Sequence, residues 1–171
     1  MPSYQIINTQ ATDLPFIYRL FDQAMRYQER NGYPVWPDYD REVLQQDIAD
    51  RRQFKVMTHR GTMGVFSVCY ADPLVWRARD RGNAIYLHRI VVNPAFKGQK
   101  LVGKVTDWAR QQAKKQGLAF IRMDTWADNP TIIAYYESFG FRVVDTYTTP
   151  ESDKLPIQQR GNAIVLLEHK V

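Results

Sequence analysis

Apolar positions along this chain switch between a period of two and a period near 3.6, and the switches divide it into alternating strands and helices. Residues 4–7 read as a short strand, and the polar stretch from Asn8 turns the chain. Ile17, Leu20, Phe21, Ala24 and Met25 then recur at helical spacing over residues 14–30. Thr12 or Asp13 can cap that helix, Pro15 fits its first turn, Asn31-Gly32 ends it and Pro34 prevents its return. Asp40 caps a second helix to about Ala49, with Val43, Leu44 and Ile48 on one face. Two strands follow, 53–59 and 63–70, joined as a hairpin at Arg60-Gly61-Thr62. Residues 71–83 are polar, irregular and of mixed charge, the pattern of a solvated loop. Residues 84–92 form an apolar strand that ends at Asn93-Pro94. In the next helix Leu101, Val105, Trp108, Ala109 and Ala113 make the apolar stripe, and Gly117 stops it. In the strand 120–126, Ile121 and Met123 alternate with Arg122 and Asp124. Asp128-Asn129-Pro130 leads into a helix over 131–139 that Gly140 closes. Strand 141–147, a polar loop over 148–161 and a last strand over 163–170 complete the chain. No repeat, linker or low-complexity tract interrupts this order, so residues 1–171 are expected to form a single domain.

Composition narrows the picture in a few places. With 44% apolar and 13% aromatic residues, 171 residues are enough for one packed core. The net charge of +5 suits an anionic ligand without singling out nucleic acid. Arg77, Arg79 and Arg81 beside Trp76 are weak evidence for such a partner, and none is expected. Cys69 is the only cysteine, which excludes an internal disulfide and reads as a small core residue. No apolar run reaches the roughly 20 residues of a membrane span, and MPSYQIINTQ lacks the features of a secretion signal. The expectation is a soluble cytoplasmic protein with no membrane partner. The aromatic loop YPVWPDY, residues 33–39, reads equally as the lining of a pocket or as a surface loop pinned by Trp36.

The stretch 84–115 carries the clearest chemistry. It is a buried strand, a loop with Gly98 and Gly103, and a basic amphipathic helix. A helix start presents unpaired N–H groups and the positive end of the helix dipole, which together favour an anion. Lys97, Lys100 and Lys104 add charge at the same end, so a phosphate-rich cofactor is expected there.

Two patterns give the chain its resemblance to the Gcn5-related N-acetyltransferases (GNAT). One is IVV, then NPAF, then KGQKLVGK; the other is NPTIIAYYESFGF, with Asn129, Tyr136, Gly140 and Phe141 at the family's spacing. The resemblance covers nearly the whole chain. It implies an α/β (α+β) fold: a mixed, twisted, splayed sheet of about seven strands flanked by four helices, opening between the strands 84–92 and 120–126. It further implies acetyl-CoA as co-substrate. Its pantetheine arm would pair with the backbone of Ile90, Val91 and Val92, where a main-chain N–H would polarise the thioester carbonyl. Its pyrophosphate would sit on the N–H groups from Gln99 through Lys100, Leu101 and Val102 to Gly103, after Lys97-Gly98. Asn129 would touch the arm, and Tyr136 would protonate the leaving thiolate, while Tyr135 packs on the sheet. The family pattern is Arg or Gln, two residues, Gly, one residue, then Gly or Ala. This chain places Lys100 and Val102 at the two small positions; a helix-start conformation there would accept any side chain.

Acetyl transfer needs a neutral amine, a polarised carbonyl and a proton for the thiolate. His88 is the candidate base, since imidazole titrates near neutral pH and the residue lies on the strand expected to carry the thioester. Its bland counterpart is a histidine hydrogen-bonded in the core. Serotonin-type members are similar at this strand and carry a second histidine where this chain has Tyr86. Asp124 can attract a cationic amine, but an outward, solvated carboxylate is the stronger expectation. His59 and His169 read as surface residues at strand ends, and the histidine spacing matches no metal motif. No G-x-S-x-G, Walker or dinucleotide pattern occurs. The expected function is acetyl-CoA-dependent N-acetylation of a primary amine on a small molecule or peptide. A non-catalytic acyl-CoA-binding module is the alternative. The acceptor's identity and the oligomeric state, a homodimer included, stay open.

Overall fold

The computed structural model describes residues 3–171, so Met1 and Pro2 of the opening stretch lie outside it. Strand β1 (Tyr4–Asn8) leads into helix α1 (Leu14–Arg30) and helix α2 (Arg41–Ala49), capped by the Asp40 carboxylate on the Val43 N–H. Strands β2 (Gln53–Thr58) and β3 (Gly61–Cys69) form a hairpin tighter than expected. The turn is His59-Arg60, and Gly61 opens β3 at φ 115°, a backbone state that favours glycine. Helix α3 (Pro73–Trp76), strand β4 (Ala84–Val92), helix α4 (Leu101–Gln116), strand β5 (Phe120–Trp126), helix α5 (Pro130–Glu137) and strands β6 (Arg142–Thr148) and β7 (Ala163–Lys170) complete the order. Among the described residues, no helix is long and apolar enough to cross a membrane.

All seven strands join one sheet in the order β1-β2-β3-β4-β5-β7-β6, with every pairing antiparallel except β4 with β5. That parallel pair holds only at Ala84–Phe120, Ile85–Ile121 and Tyr86–Arg122. Beyond Tyr86 the two strands part, as the family resemblance implies. On one face α4 packs Leu101, Val105, Ala109 and Ala113 against Ile85, Leu87, Ile121 and Met123. The opposite face carries two clusters. One sets Ile17, Leu20, Phe21 and Leu44 on Val65 and Val91; the other sets Val75 and Trp76 on Ala84, Tyr86 and Leu166.

Two expectations are corrected on that second face. Residues 71–83 are mostly exposed, as expected of a solvated segment, but they are not irregular throughout. They contain α3, a fifth helix, and strap the sheet with Trp76 1% exposed. The charges that suggested solvent are partnered: Arg77 pairs with Asp145 at 3.0 Å, Arg79 donates to the Val144 carbonyl, and Asp80 accepts from the Tyr86 hydroxyl at 2.8 Å. Trp76 is therefore not a platform for nucleic-acid bases. Arg122, which strand alternation turns away from the first core, is also buried, at 4%. It donates to Glu168 at 2.9 Å and to the Arg79 carbonyl at 2.8 Å, and it lies over the Trp76 ring. A central strand covered on both faces has no outward side.

Strand β4 carries a bulge. Phe66 of β3 faces both Arg89 and Ile90, because the register shifts between Val65 and Ser67. Arg89 takes φ 50° there, and its guanidinium is held by the Asp47 carboxylate of α2 at 2.5 Å. The extra residue reverses the side-chain alternation: Leu87 and Ile90 both meet the α4 core, while Val91 joins the α1 side.

Candidate active site

Where β4 and β5 part, a cleft of about 500 Å³ opens through the sheet. Leu87 to Val92 of β4 and Met123 to Trp126 of β5 form its walls. Past Tyr86 the edge of β4 has no strand on its β5 side, so an extended ligand can take the place of one. Tyr33 and Trp36 line the same cleft, and Trp36 also stacks on Phe21 with ring centroids 5.8 Å apart. The aromatic loop is thus both pinned and pocket-lining.

His88 lies on the face of the sheet that carries Tyr86 and Arg122, with its side chain 9% exposed. Its Nε2 faces Asp72 Oδ2 at 3.2 Å, and its Nδ1 faces the Gln159 amide nitrogen at 3.5 Å and Asp124 Oδ1 at 4.0 Å. Asp72 fixes the ring. With a proton kept on Nε2 against that carboxylate, Nδ1 is the nitrogen left to accept one. Burial works against charge on the ring, but the Cys69 thiol and Asp72 beside it outweigh burial and hold its pKa well above the ordinary 6.5. Tyr86 does not extend this arrangement, since its hydroxyl is committed to Asp80 and Arg122.

Asp124 is corrected from an outward carboxylate to one that lines the cleft with its side chain 13% exposed. Burial pushes its pKa up to about 6, offset in part by His88. Asp72, hidden in the supposed loop, had one readable signal, an Asp-Pro pair suited to starting a helix. The sequence offered none for Gln158 or Gln159, which reach the cleft from the turn Ile157–Gln159. Asp72, His88 and Asp124 each offer a ligand atom within 4.8 Å of the others. That gathering is invisible in the histidine spacing. Of the remaining histidines, His59 is exposed as expected, whereas His169 packs edge-on against Phe141 and contacts Arg110 at 3.1 Å.

Tyr136 lines the cleft from α5, and burial raises its pKa far enough to keep the phenol protonated through the neutral range. Its neighbour Tyr135 does not pack on the sheet. It is 38% exposed, stacks edge-on against Phe139 and lines the cleft too. Asn129 is buried as the cap of α5, its Oδ1 accepting from the Ile132 N–H at 3.1 Å.

The anion loop departs from expectation at one residue. Lys100 is not in a helix-start conformation; it sits in the left-handed region at φ 55°, ψ 48°. The family's glycine at this position has a backbone reason, and lysine carries strain there. Gly98 is also left-handed, at φ 82°, with nothing within 4 Å of the position a Cβ would take. The Gln99 N–H is given to the Phe96 carbonyl, and the first bond of α4 runs from the Lys104 N–H to Lys100. Among the described residues, the N–H groups of Lys100, Leu101, Val102 and Gly103 have no backbone partner. Leu101 and Val102 bury their side chains and can offer only main chain. Lys104 ties the loop by donating to the Gln99 carbonyl at 2.9 Å. Lys100, Gly103, Lys104 and Arg110 line a second, shallower hollow of about 290 Å³, while Lys97, Ile90, Val91 and Val92 line the main cleft. An extended arm with a phosphate group fits this chain: an unpaired strand edge, then unpaired N–H groups under positive charge.

Residues 15–141 match the acetyltransferase (GNAT) family model. An uncharacterized N-acetyltransferase of Bacillus subtilis (strain 168), YesJ, is 31% identical over 70 residues, which span 41% of this chain and 39% of that relative's length. Among solved structures, a GNAT-family acetyltransferase from Listeria monocytogenes 4b F2365 superposes with a TM-score of 0.75 at 21% identity, covering 98% of this chain and 95% of its own. Spermidine N-acetyltransferase from Vibrio cholerae, solved with CoA and spermine, gives 0.66 at 15% identity, covering 99% and 96%.

Proposed function

The chain belongs to the acetyltransferase (GNAT) family, and we propose that it transfers an acetyl group from acetyl-CoA to a primary amine of a small molecule or peptide, with His88 as general base and Tyr136 as general acid. One observation carries this reading: the gap between β4 and β5 lets His88, on one face of the sheet, and Tyr136, on the other, line the same cleft.

Acetyl-CoA, when bound, supplies the activated acetyl thioester. The backbone of Ile90, Val91 and Val92 would hold its arm along the unpaired edge of β4. The N–H groups of Lys100 to Gly103, with Lys97, Lys100 and Lys104, would hold its phosphates, and Asn129 would contact the arm from the α5 cap. A β4 main-chain N–H would polarise the acetyl carbonyl. His88 takes a proton from the attacking amine at Nδ1 while Asp72 faces Nε2. Tyr136, kept protonated by burial, gives its phenolic proton to the departing thiolate.

Tyr136→Phe tests this directly. Turnover of an accepted amine is expected to fall by about 10²–10³-fold, the range for loss of a positioned acid, while the thermal shift with acetyl-CoA is kept. Turnover equal to wild type would remove Tyr136 from the mechanism. Binding of acetyl-CoA without turnover on any amine would favour the non-catalytic module.

A further inference from the structure

Resting on the reading above, we infer that the acceptor enters this cleft as a protonated primary amine carrying a single charge, and that Asp124 is the residue that receives it, between its carboxylate and His88 Nδ1.

The geometry sets the position. Asp124 Oδ1 and His88 Nδ1 are 4.0 Å apart, too far for a bond between them. One nitrogen placed ~2.9 Å from each would see the two about 90° apart, which two N–H bonds of a single ammonium can serve. The Gln159 amide nitrogen, 3.5 Å from Nδ1, makes only a loose contact that an ammonium would replace. Asp124 has no side-chain donor bonded to it among the described residues and lines the cleft, whereas Asp72 faces His88 Nε2 at 3.2 Å and does not line it. The two carboxylates bring ligand atoms within 4.8 Å of each other beside the ring, and Asp124 is the one that opens to the cleft.

Arrival of the charge also prepares the base. The raised pKa of His88 favours its imidazolium, which Asp72 and Asp124 both face. A second cation beside it lowers its pKa and drives the Nδ1 proton off. The imidazole left behind then accepts a proton from the ammonium, so a neutral amine forms only inside the cleft. The Nδ1 proton leaves to water at the open cleft and the ammonium proton goes to Nδ1, so no co-reactant is needed.

The lining limits the acceptor to one charge. Among the described residues, Asp124 is the only carboxylate lining the cleft; its neighbours there include Gln158, Gln159 and Asn162, with the cations Lys97 and Arg89. A second ammonium on the same acceptor finds no anion. Gln158 offers a neutral contact instead: it is 4% exposed, lines the cleft, and neither polar atom of its amide has a partner.

The test compares acceptors that differ only in charge. A panel of primary monoamines, their diamine homologues and their alkoxyamine isosteres, which are neutral at pH 7, is assayed with chelator present. Wild type is expected to prefer the monoamine over its diamine. In Asp124→Asn, kcat/KM for the monoamine is expected to fall about 30-fold or more, mostly in KM, against less than about 3-fold for the alkoxyamine. Asp124→Glu, which keeps the charge, is expected to recover part of the loss. Equal losses on both acceptors would make Asp124 structural and overturn the inference while leaving acetyl transfer standing. A preference for diamines, or activity abolished by the chelator, would also overturn it. Absence of turnover on every amine, with acetyl-CoA still bound, would defeat the underlying reading and the inference with it.

Discussion

His88 shows how one residue sets opposing demands on pH. Its raised pKa moves the appearance of the base form in the free enzyme to higher pH than an ordinary imidazole would show. The kcat/KM for an amine is expected to rise across the mildly alkaline range, and His88→Gln should flatten that limb; an unchanged limb in the variant would mean another group titrates. Stability moves the other way. A histidine whose folded pKa is raised stabilises the fold below its unfolded pKa, and that contribution fades as pH climbs through the folded value. Asp124 acts in the same direction at lower pH. With its folded pKa lifted from 3.8 to about 6, stability is lost between those values, where the carboxyl ionises in the unfolded chain while the buried one stays protonated. The sequence marked His88 as a candidate base by residue type and strand position. It could not mark Asp72 or Asp124, because a carboxylate's role depends on which residues from other elements surround it.

At the scale of elements, the loop before α4 and the bulge in β4 hold two of the four non-glycine residues with positive φ, and both face the cleft or its phosphate end. Lys100 holds a left-handed conformation that costs an L-residue about 1–2 kcal/mol, part of which glycine would recover. Lys100→Gly is therefore expected to raise stability by about 1 kcal/mol, or roughly 2–4 °C in Tm for a chain of this size. A calorimetric scan without ligand checks this; an unchanged or lower Tm would show that the lysine's own contacts offset the strain. The spacing of glycines and lysines marked this element as a candidate anion site. The conformation of Lys100 was not legible, because a left-handed lysine has no sequence signature. The bulge was hidden for a similar reason. In sequence residues 84–92 read as an unbroken apolar strand, and only pairing with β3 shows that Phe66 faces two residues.

Across the whole molecule, the decisive feature is the parting of β4 from β5, which puts a continuous cleft between two separately packed faces. Acetyl-CoA filling that cleft should act as a wedge that binds only the folded state. At 100 times its dissociation constant it is expected to stabilise by about 2.7 kcal/mol, a shift of roughly 5–10 °C. No shift at millimolar acetyl-CoA would mean that the site does not accept it. The sequence by itself determined the order of the principal strands and helices, the glycine- and lysine-bearing loop before α4 and the tyrosine on α5. Those depend on period, capping residues and local spacing, which are carried by near neighbours in the chain. Tertiary structure alone decided that the strap 71–83 buries Val75 and Trp76, that Arg122 is interior and that Asp72, His88 and Asp124 meet. Their sequence separations are too large for any local pattern, and burial of charge is settled only by the partners that folding supplies.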